Sequence, residues 1–312
     1  SCFLLREKIS KNAIFVLSCF SMQNYAFFLA FMRLIATFVY QTTVDLIKIT
    51  LPQGYKPMRK IEIAKDAPES VRTLVDTINS SGIPKQAKII YEGRNRIAAF
   101  TARDGEVFNI KAFRVPHVIN RVAYGWFRGS KAHRAFENAV RLRELNVSTP
   151  RPFAFIEEFD FIHCLHKSYY LCSQLPDDYN EIRYAGKNPD FDNIVREVAA
   201  FVADFHKKGV WMIDLTPGNI MFRHGKNGYE FALVDVNRMK FDVSSTDVLV
   251  RSCGRLFCEA DSRRLFAGYY AEAMCLDAGY VLDLMERQVK ADSARRRRKK
   301  ALFHPKEFFN SG

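Results

Sequence analysis

The sequence predicts an α+β fold in which an antiparallel sheet comes first and helices follow. Three observations predict it. Short alternating segments, AKIIYE (87–92), RIAAFTAR (96–103) and EVFNIKAF (106–113), fill much of the first half, and a period of two is what a half-buried strand requires. Asp104-Gly105 lies between two of these segments, where turn chemistry closes a hairpin and makes its strands antiparallel. From about residue 190 the apolar residues recur instead at three-to-four spacing, the period of a helix packed on a core.

Composition sets the outer limits. With 312 residues, 48% of them apolar, the chain can bury a large core and build two lobes. The 47 Lys and Arg exceed the 34 Asp and Glu to give +13, and six cations form one run, Arg295 to Lys300. Such a run reads as a solvated helix end or tail, or otherwise as a patch for the anionic lipid of a membrane surface or for nucleic acid. The seven cysteines are odd in number and contain no CxxC pair, which indicates neither a disulfide framework nor a zinc site and suits a reduced, cytoplasmic compartment. His163, Cys164 and His166 crowd one segment without a distant fourth ligand, the pattern of a plain loop.

Residues 13–32, AIFVLSCFSMQNYAFFLAFM, carry no charge and are long enough for a membrane span. Ser18, Ser21, Gln23 and Asn24 weaken that pattern, and the chain starts with Ser1, whereas Met58-Arg59-Lys60 opens ordinary globular sequence. Two readings of 1–57 stay open: a single membrane anchor, or upstream sequence outside the working protein. The expected domains are then 58–175, the sheet lobe, and 176–312, the helical lobe with its basic end.

Each later element has its own signal. Ser130 precedes Ala132, Ala135, Phe136, Ala139 and Leu142, a capped helix running to Asn146. PRPFAFIEE (150–158) and KSYYLCSQL (167–175) read as further strands. DFDNIVREVAAFVADFHKKG places Ile194, Val195, Val198, Phe201, Val202 and Phe205 on one helical face and ends in Lys207, Lys208 and Gly209. NIMFR, HGKNG and YEFALVD follow as strand, turn and strand, a hairpin that returns Asp235 beside Asn219. Leu-, Phe- and Arg-rich helical patterns fill the remainder, and no internal repeat is visible.

On this scaffold the polar residues fall in a phosphotransferase order. Lys111 is on the third strand, Glu137 on the next helix, Asp214 and Asn219 on the MIDLTPGNIMF turn, and Asp235 at the end of the hairpin. A strand Lys holds nucleotide phosphates, a helix Glu holds that Lys, an Asp deprotonates a hydroxyl, and Asn with a second Asp ligates magnesium. The five-residue interval from Asp214 to Asn219 equals that of the kinase catalytic loop. Each residue also has a structural explanation alone. Asn219, Gly218 and Pro217 are turn formers, Asp214 can cap backbone amides, and Glu144 competes with Glu137 as partner for Lys111.

At these residues the chain resembles the bacterial lipopolysaccharide kinases that phosphorylate Kdo or heptose in the inner core, especially their Bacteroidetes-type relatives. The stretches that carry the resemblance are YEGRNRI (91–97), the segment 109–145, KSYYL (167–171), DLTPGNIMF (214–222) and YEFALVDVNRMKF (229–241). The resemblance implies a protein-kinase-like two-lobed fold, ATP with Mg2+, and a lipid-linked glycan, a lipopolysaccharide precursor, as acceptor at the cytoplasmic face of the inner membrane. It assigns the phosphates to Lys111 and Gly93, the support of Lys111 to Glu137, the base to Asp214, and the metal to Asn219 and Asp235.

Departures from the wider kinase pattern are informative. Met212-Ile213 replaces His-Arg before the catalytic Asp, Val236-Asn237 replaces Phe-Gly after the metal Asp, and no Ala-Pro-Glu motif follows. A loop switched by phosphorylation is therefore not expected, which suits a small-molecule kinase. The phosphate loop keeps Gly93 alone, flanked by Arg94 and Arg96, which read either as phosphate partners or as solvated residues at a hairpin mouth. The Arg- and aromatic-rich run 113–131 suits an anionic headgroup, and no nucleic-acid motif is present. A catalytically inactive nucleotide- or lipid-binding scaffold is the alternative that the altered motifs raise.

Overall fold

The computed structural model describes residues 57–115, 129–160 and 163–303, with side chains to 298. They divide into two compact units. The larger comprises Lys60–Arg114, Gly129–Glu157 and Lys167–Gly312 and contains every element discussed below apart from the ends of three strands. The α+β expectation holds: a six-stranded sheet leads and helices follow.

Strands β1 (Met58–Ile63), β2 (Lys88–Glu92), β3 (Asn95–Thr101), β4 (Val107–Phe113), β5 (Pro152–Phe159) and β6 (Leu165–Ser173) lie in the order β1-β5-β6-β4-β3-β2. β2, β3, β4 and β6 pair antiparallel, with Ile97 opposite Lys111 and Lys111 opposite Tyr170. Alternation along β4 sorts its side chains. Phe108 and Ile110 join a cluster with helix α1 (Glu69–Ser81), whereas Lys111 and Phe113 belong to the opposite face. Helix α1, unforeseen in the sequence reading, buries Val71, Leu74, Val75 and Ile78 at helical spacing, and stops at Gly82, whose φ of 80° an L side chain resists.

Helix α2 (Lys131–Glu144) starts as expected. Ser130 Oγ accepts from the amides of Ala132 and His133, and the Ser130 amide donates to Glu157 on β5 at 2.9 Å. That carboxylate, 2% exposed, fixes the helix start to the sheet. The second cluster runs from the α2 face of the sheet through α3 (Phe191–Lys207), α4 (Thr246–Ser252), α5 (Ala260–Met274) and α6 (Ala278–Phe303). α3 follows the predicted periodicity, burying Ile194, Val195, Val198, Val202 and Phe205.

Small strands complete the helical part. β7 (Asn180–Glu181) pairs with β9 (Ile220–Gly225), which pairs with β10 (Gly228–Leu233) in the expected hairpin. β8 (Trp211–Met212) pairs with β11 (Met239–Lys240).

The expected placement at a membrane through an N-terminal span is corrected. Among the described residues no helix is long and apolar enough to cross a bilayer. The longest, α6, has 26 residues but bears acids and a dense set of arginines along its length, which a hydrocarbon interior disfavours. Residues 13–32, and 116–128 of the Arg- and aromatic-rich run, lie outside the described residues.

Candidate active site

The site grows from two backbone devices. Val234 donates its N–H to the carbonyl of Asn219 at 3.0 Å, so β10 returns the chain directly beside the 214–219 turn. Ile213 donates to the carbonyl of Arg238 at 3.0 Å, extending the β8–β11 pairing and drawing the residues after Asp235 against the start of that turn. Between these ties stands Asp235, in left-handed backbone with φ of 56°, a conformation that Asp tolerates better than most L residues.

Three of the expected residues, Lys111, Asn219 and Asp235, line one cleft, and Asp214, which is not among its lining residues, is tied to Asn219 through its main-chain carbonyl. Lys111 Nζ lies 2.6 Å from Asp235 Oδ1, joining residues 124 positions apart. The same oxygen accepts from Asn237 Nδ2 at 2.5 Å. Asn219 Nδ2 donates to the main-chain carbonyl of Asp214 at 2.8 Å, closing the turn and leaving Asn219 Oδ1 as the amide's remaining acceptor. The Asp214 carboxylate, 42% exposed, lies 3.5 Å from Arg238.

The expected pairing of Glu137 with Lys111 is corrected. The Glu137 carboxylate lies 3.1 Å from His133 Nε2, one turn back on α2, and is 60% exposed. The reason is rotational: Ala132, Ala135, Phe136 and Ala139 define the buried face, which turns Glu137 outward, and Ala135 rather than a carboxylate lines the cleft. Its neighbour Asn138 instead braces the site, donating to the carbonyl of Val236 at 2.7 Å. Glu137→Gln should therefore change stability by no more than about 0.5 kcal/mol and leave nucleotide-induced stabilisation unchanged. Thermal shift with Mg-ATP checks this, and a lost nucleotide response would restore the Lys111–Glu137 pair to the bound state.

Gly93 closes the β2–β3 turn, its amide donating to Asn95 at 3.1 Å, but it is not among the residues lining the cleft. The cleft, about 310 Å³, is walled by apolar side chains of both sheet and helical parts, including Ile90, Ile97, Tyr170, Leu175, Met221 and Val234. Lys111, Asn219 and Asp235 line it as well. Gln174 and Asn109 bond to each other across its rim at 2.7 Å, and Gln174 also donates to the Leu175 carbonyl at 3.1 Å. Burial pushes the thiol of Cys172, another lining residue, up to about 12, so it stays a neutral wall.

Sequence reasoning missed Lys131, the first residue of α2. Burial lowers its ammonium pKa, the charges of Arg94, Arg134 and Lys111 lower it further, and Asp235 opposes them. Lys131 thus lies within electrostatic range of Lys111 and Asp235. A signal was present, because Lys in the first turn opposes the helix dipole and no acid offsets it there.

Among the described residues no group of three or more His, Cys, Asp and Glu forms a metal cluster. The candidate donors that line the same cleft, the Asn219 amide oxygen and the Asp235 carboxylate, are hard oxygens few in number, which fits Mg2+ because that ion keeps waters and phosphate oxygens in its shell. Phosphoryl transfer calls for a base, a cation for phosphate and oxygens for a metal, and residues of those chemical types, Lys111, Asn219 and Asp235 in the cleft and Asp214 on the adjoining turn, are present here.

No protein-family model and no curated protein matches the sequence. Solved structures do resemble the chain. WaaP, in a complex with acyl carrier protein, is 16% identical, with 74% of this chain and 98% of that one covered at a TM-score of 0.48. The Rio2 kinase ADP/Mg2+-phosphoaspartate complex from Chaetomium thermophilum is 14% identical over 81% of this chain and 86% of its own, TM-score 0.42. The bifunctional kinase-methyltransferase WbdD is 19% identical over 63% of this chain and 43% of its own, TM-score 0.38. At identities of 14–19% these are likenesses of fold.

Proposed function

We propose that the chain is an ATP-dependent phosphotransferase that uses Mg2+ and phosphorylates a hydroxyl of Kdo or heptose on a lipid-linked lipopolysaccharide precursor. The observation that carries the proposal is the contact of Lys111 with Asp235 at 2.6 Å beside the Asp214–Asn219 turn. The acceptor class rests on the family that the sequence resembles.

In this reading the apolar walls of the cleft hold the nucleotide base and exclude water, while Lys111 offers its ammonium to the phosphates. Mg2+, when bound, neutralises phosphate charge, and Asn219 and Asp235 are the residues that hold it. Asp214 accepts the proton of the acceptor hydroxyl as the hydroxyl oxygen bonds to the γ-phosphorus and the bond from phosphorus to the leaving β-γ bridging oxygen breaks. Arg238, near Asp214 in the ligand-free chain, has to yield that carboxylate to the acceptor.

A scaffold without catalysis is the second reading, favoured by Asn237, which stands where the kinase pattern has Gly and engages Asp235 Oδ1. Incubating the full chain with Mg-ATP and Kdo-lipid A decides between them. A mass gain of one phosphate on the glycolipid is the expected result. Nucleotide-induced stabilisation with no product under any acceptor tested would favour the scaffold.

A further inference from the structure

The turn that carries Asp214 is anchored from behind. Arg255 ends the short 3-10 helix Cys253–Arg255 after α4, and Asp292 stands on α6. Nε and Nη2 of Arg255 donate to the two carboxylate oxygens of Asp292 at 2.6 and 2.9 Å, and Nη1 donates to the Ile213 carbonyl at 3.3 Å. The N–H of Ile213 is already committed to Arg238, so both polar backbone groups of the residue before Asp214 are tied. The Asp292 side chain is 11% exposed, and its bond to Arg255 holds its carboxyl below the usual range. Gly254 allows this packing by close approach, since a Cβ there would stand 2.7 Å from the main-chain oxygen of Met285 on α6.

We propose that the Arg255–Asp292 pair positions the general base. α6 fixes the guanidinium, the guanidinium fixes the Ile213 carbonyl, and the carbonyl fixes where the next residue presents its carboxylate. Both are positioning residues, and the inference rests on the reading of Asp214 as base. Guanidinium chemistry is essential to it. One edge of the planar group takes the carboxylate side-on while a further N–H, at fixed angle, reaches the carbonyl; a lysine ammonium has the charge but not that rigid geometry. Where protein kinases carry His-Arg before the catalytic Asp, this chain has Met212-Ile213. An apolar dipeptide has no side chain with which to orient the turn, so the orientation comes from an Arg 42 residues downstream of Ile213.

The test uses the full chain with Arg255→Lys, Asp292→Asn and, as a core control on α6, Leu284→Ala. Amide hydrogen exchange of 213–219, thermal shift with Mg-ATP, and turnover per folded molecule with Mg-ATP and Kdo-lipid A are measured. The first two variants should exchange faster at 213–219 than in the rest of the fold and lose about 10- to 100-fold in turnover, as misplacement of a reacting group does. Their nucleotide response should remain, because Lys111 and Asp235 make no bond to the pair. Leu284→Ala should lower the melting temperature yet keep turnover per folded molecule. The proposal is overturned if 213–219 stays protected in both variants, or if Leu284→Ala costs as much turnover. Absence of product from the unmodified chain would instead remove the reading of Asp214 as base, with the exchange data still deciding whether the pair holds the turn.

Discussion

Asp214→Asn should lower turnover by about 10²- to 10⁴-fold, the usual contribution of a general base, while the protein stays folded and still responds to Mg-ATP. The structure explains why stability is spared. Asn219 closes the turn on the main-chain carbonyl of Asp214, which the substitution keeps, and among the described residues the half-exposed carboxylate is ion-paired with Arg238 at 3.5 Å. An exposed pair of that length contributes at most about 1 kcal/mol.

Asp235→Asn provides the contrast. Its Oδ1 accepts from both Lys111 and Asn237, and the Lys111 side chain is only 12% exposed. Removing the charge leaves that ammonium without its counter-ion, at a cost of about 1–3 kcal/mol, and takes the anionic oxygen from the proposed metal site. Turnover and nucleotide-induced stabilisation should therefore fall together. Single-turnover rates and melting temperatures with and without Mg-ATP separate the two variants. Full activity of Asp214→Asn per folded molecule would refute the base, and an unchanged nucleotide response in Asp235→Asn would refute the metal ligand.

What the sequence displayed and what it hid follow from the range of the interactions. Lys111, Asp214, Asn219 and Asp235 were legible because each is fixed by a local pattern: an alternating strand, a Pro-Gly turn and a hairpin of short loop. Glu137 was assigned by order alone, and its direction depends on which face of α2 packs, a choice made by small alanines that give little periodic contrast. β5 shows no alternation because it is buried on both faces, and nothing in the local pattern marks Glu157 as the residue that holds the start of α2. α1 had clear spacing at Val71, Leu74, Val75 and Ile78, but strands remote in sequence complete its cluster. The Arg255–Asp292 pair spans 37 positions and has no local signature.

His206 should make the fold acid-sensitive well above the range where carboxylates titrate. It lies on α3, 2% exposed, with Nδ1 2.8 Å from Tyr270 Oη and Nε2 3.5 Å from Ser252 Oγ. Ser252 Oγ donates its proton to the Leu249 carbonyl at 2.6 Å, and burial raises the pKa of Tyr270, keeping it a phenol. The tautomer that satisfies all of them carries its proton on Nε2 and accepts from Tyr270 at Nδ1, which is a neutral imidazole. A second proton would remove that acceptor, and neighbouring Phe205 offers no compensating charge. Burial accordingly lowers the pKa to about 3 from the ordinary 6.5. The folded pKa is the lower one, so between these values the unfolded chain binds the extra proton and folding stability declines as pH falls. The slope vanishes about a unit above pH 6.5, is half-developed at 6.5, and approaches about 1.4 kcal/mol per pH unit below it. Down to the folded pKa the loss is of order 4–5 kcal/mol, a large part of the stability of most domains. Urea unfolding at pH 7.5 and pH 5.5 isolates the effect, because most carboxylates remain ionised over that interval. The unmodified chain should lose roughly 1 kcal/mol more than His206→Gln. Equal losses in the two proteins would mean that His206 takes up its proton in the folded core, and that the bonds to Tyr270 and Ser252 do not hold it neutral.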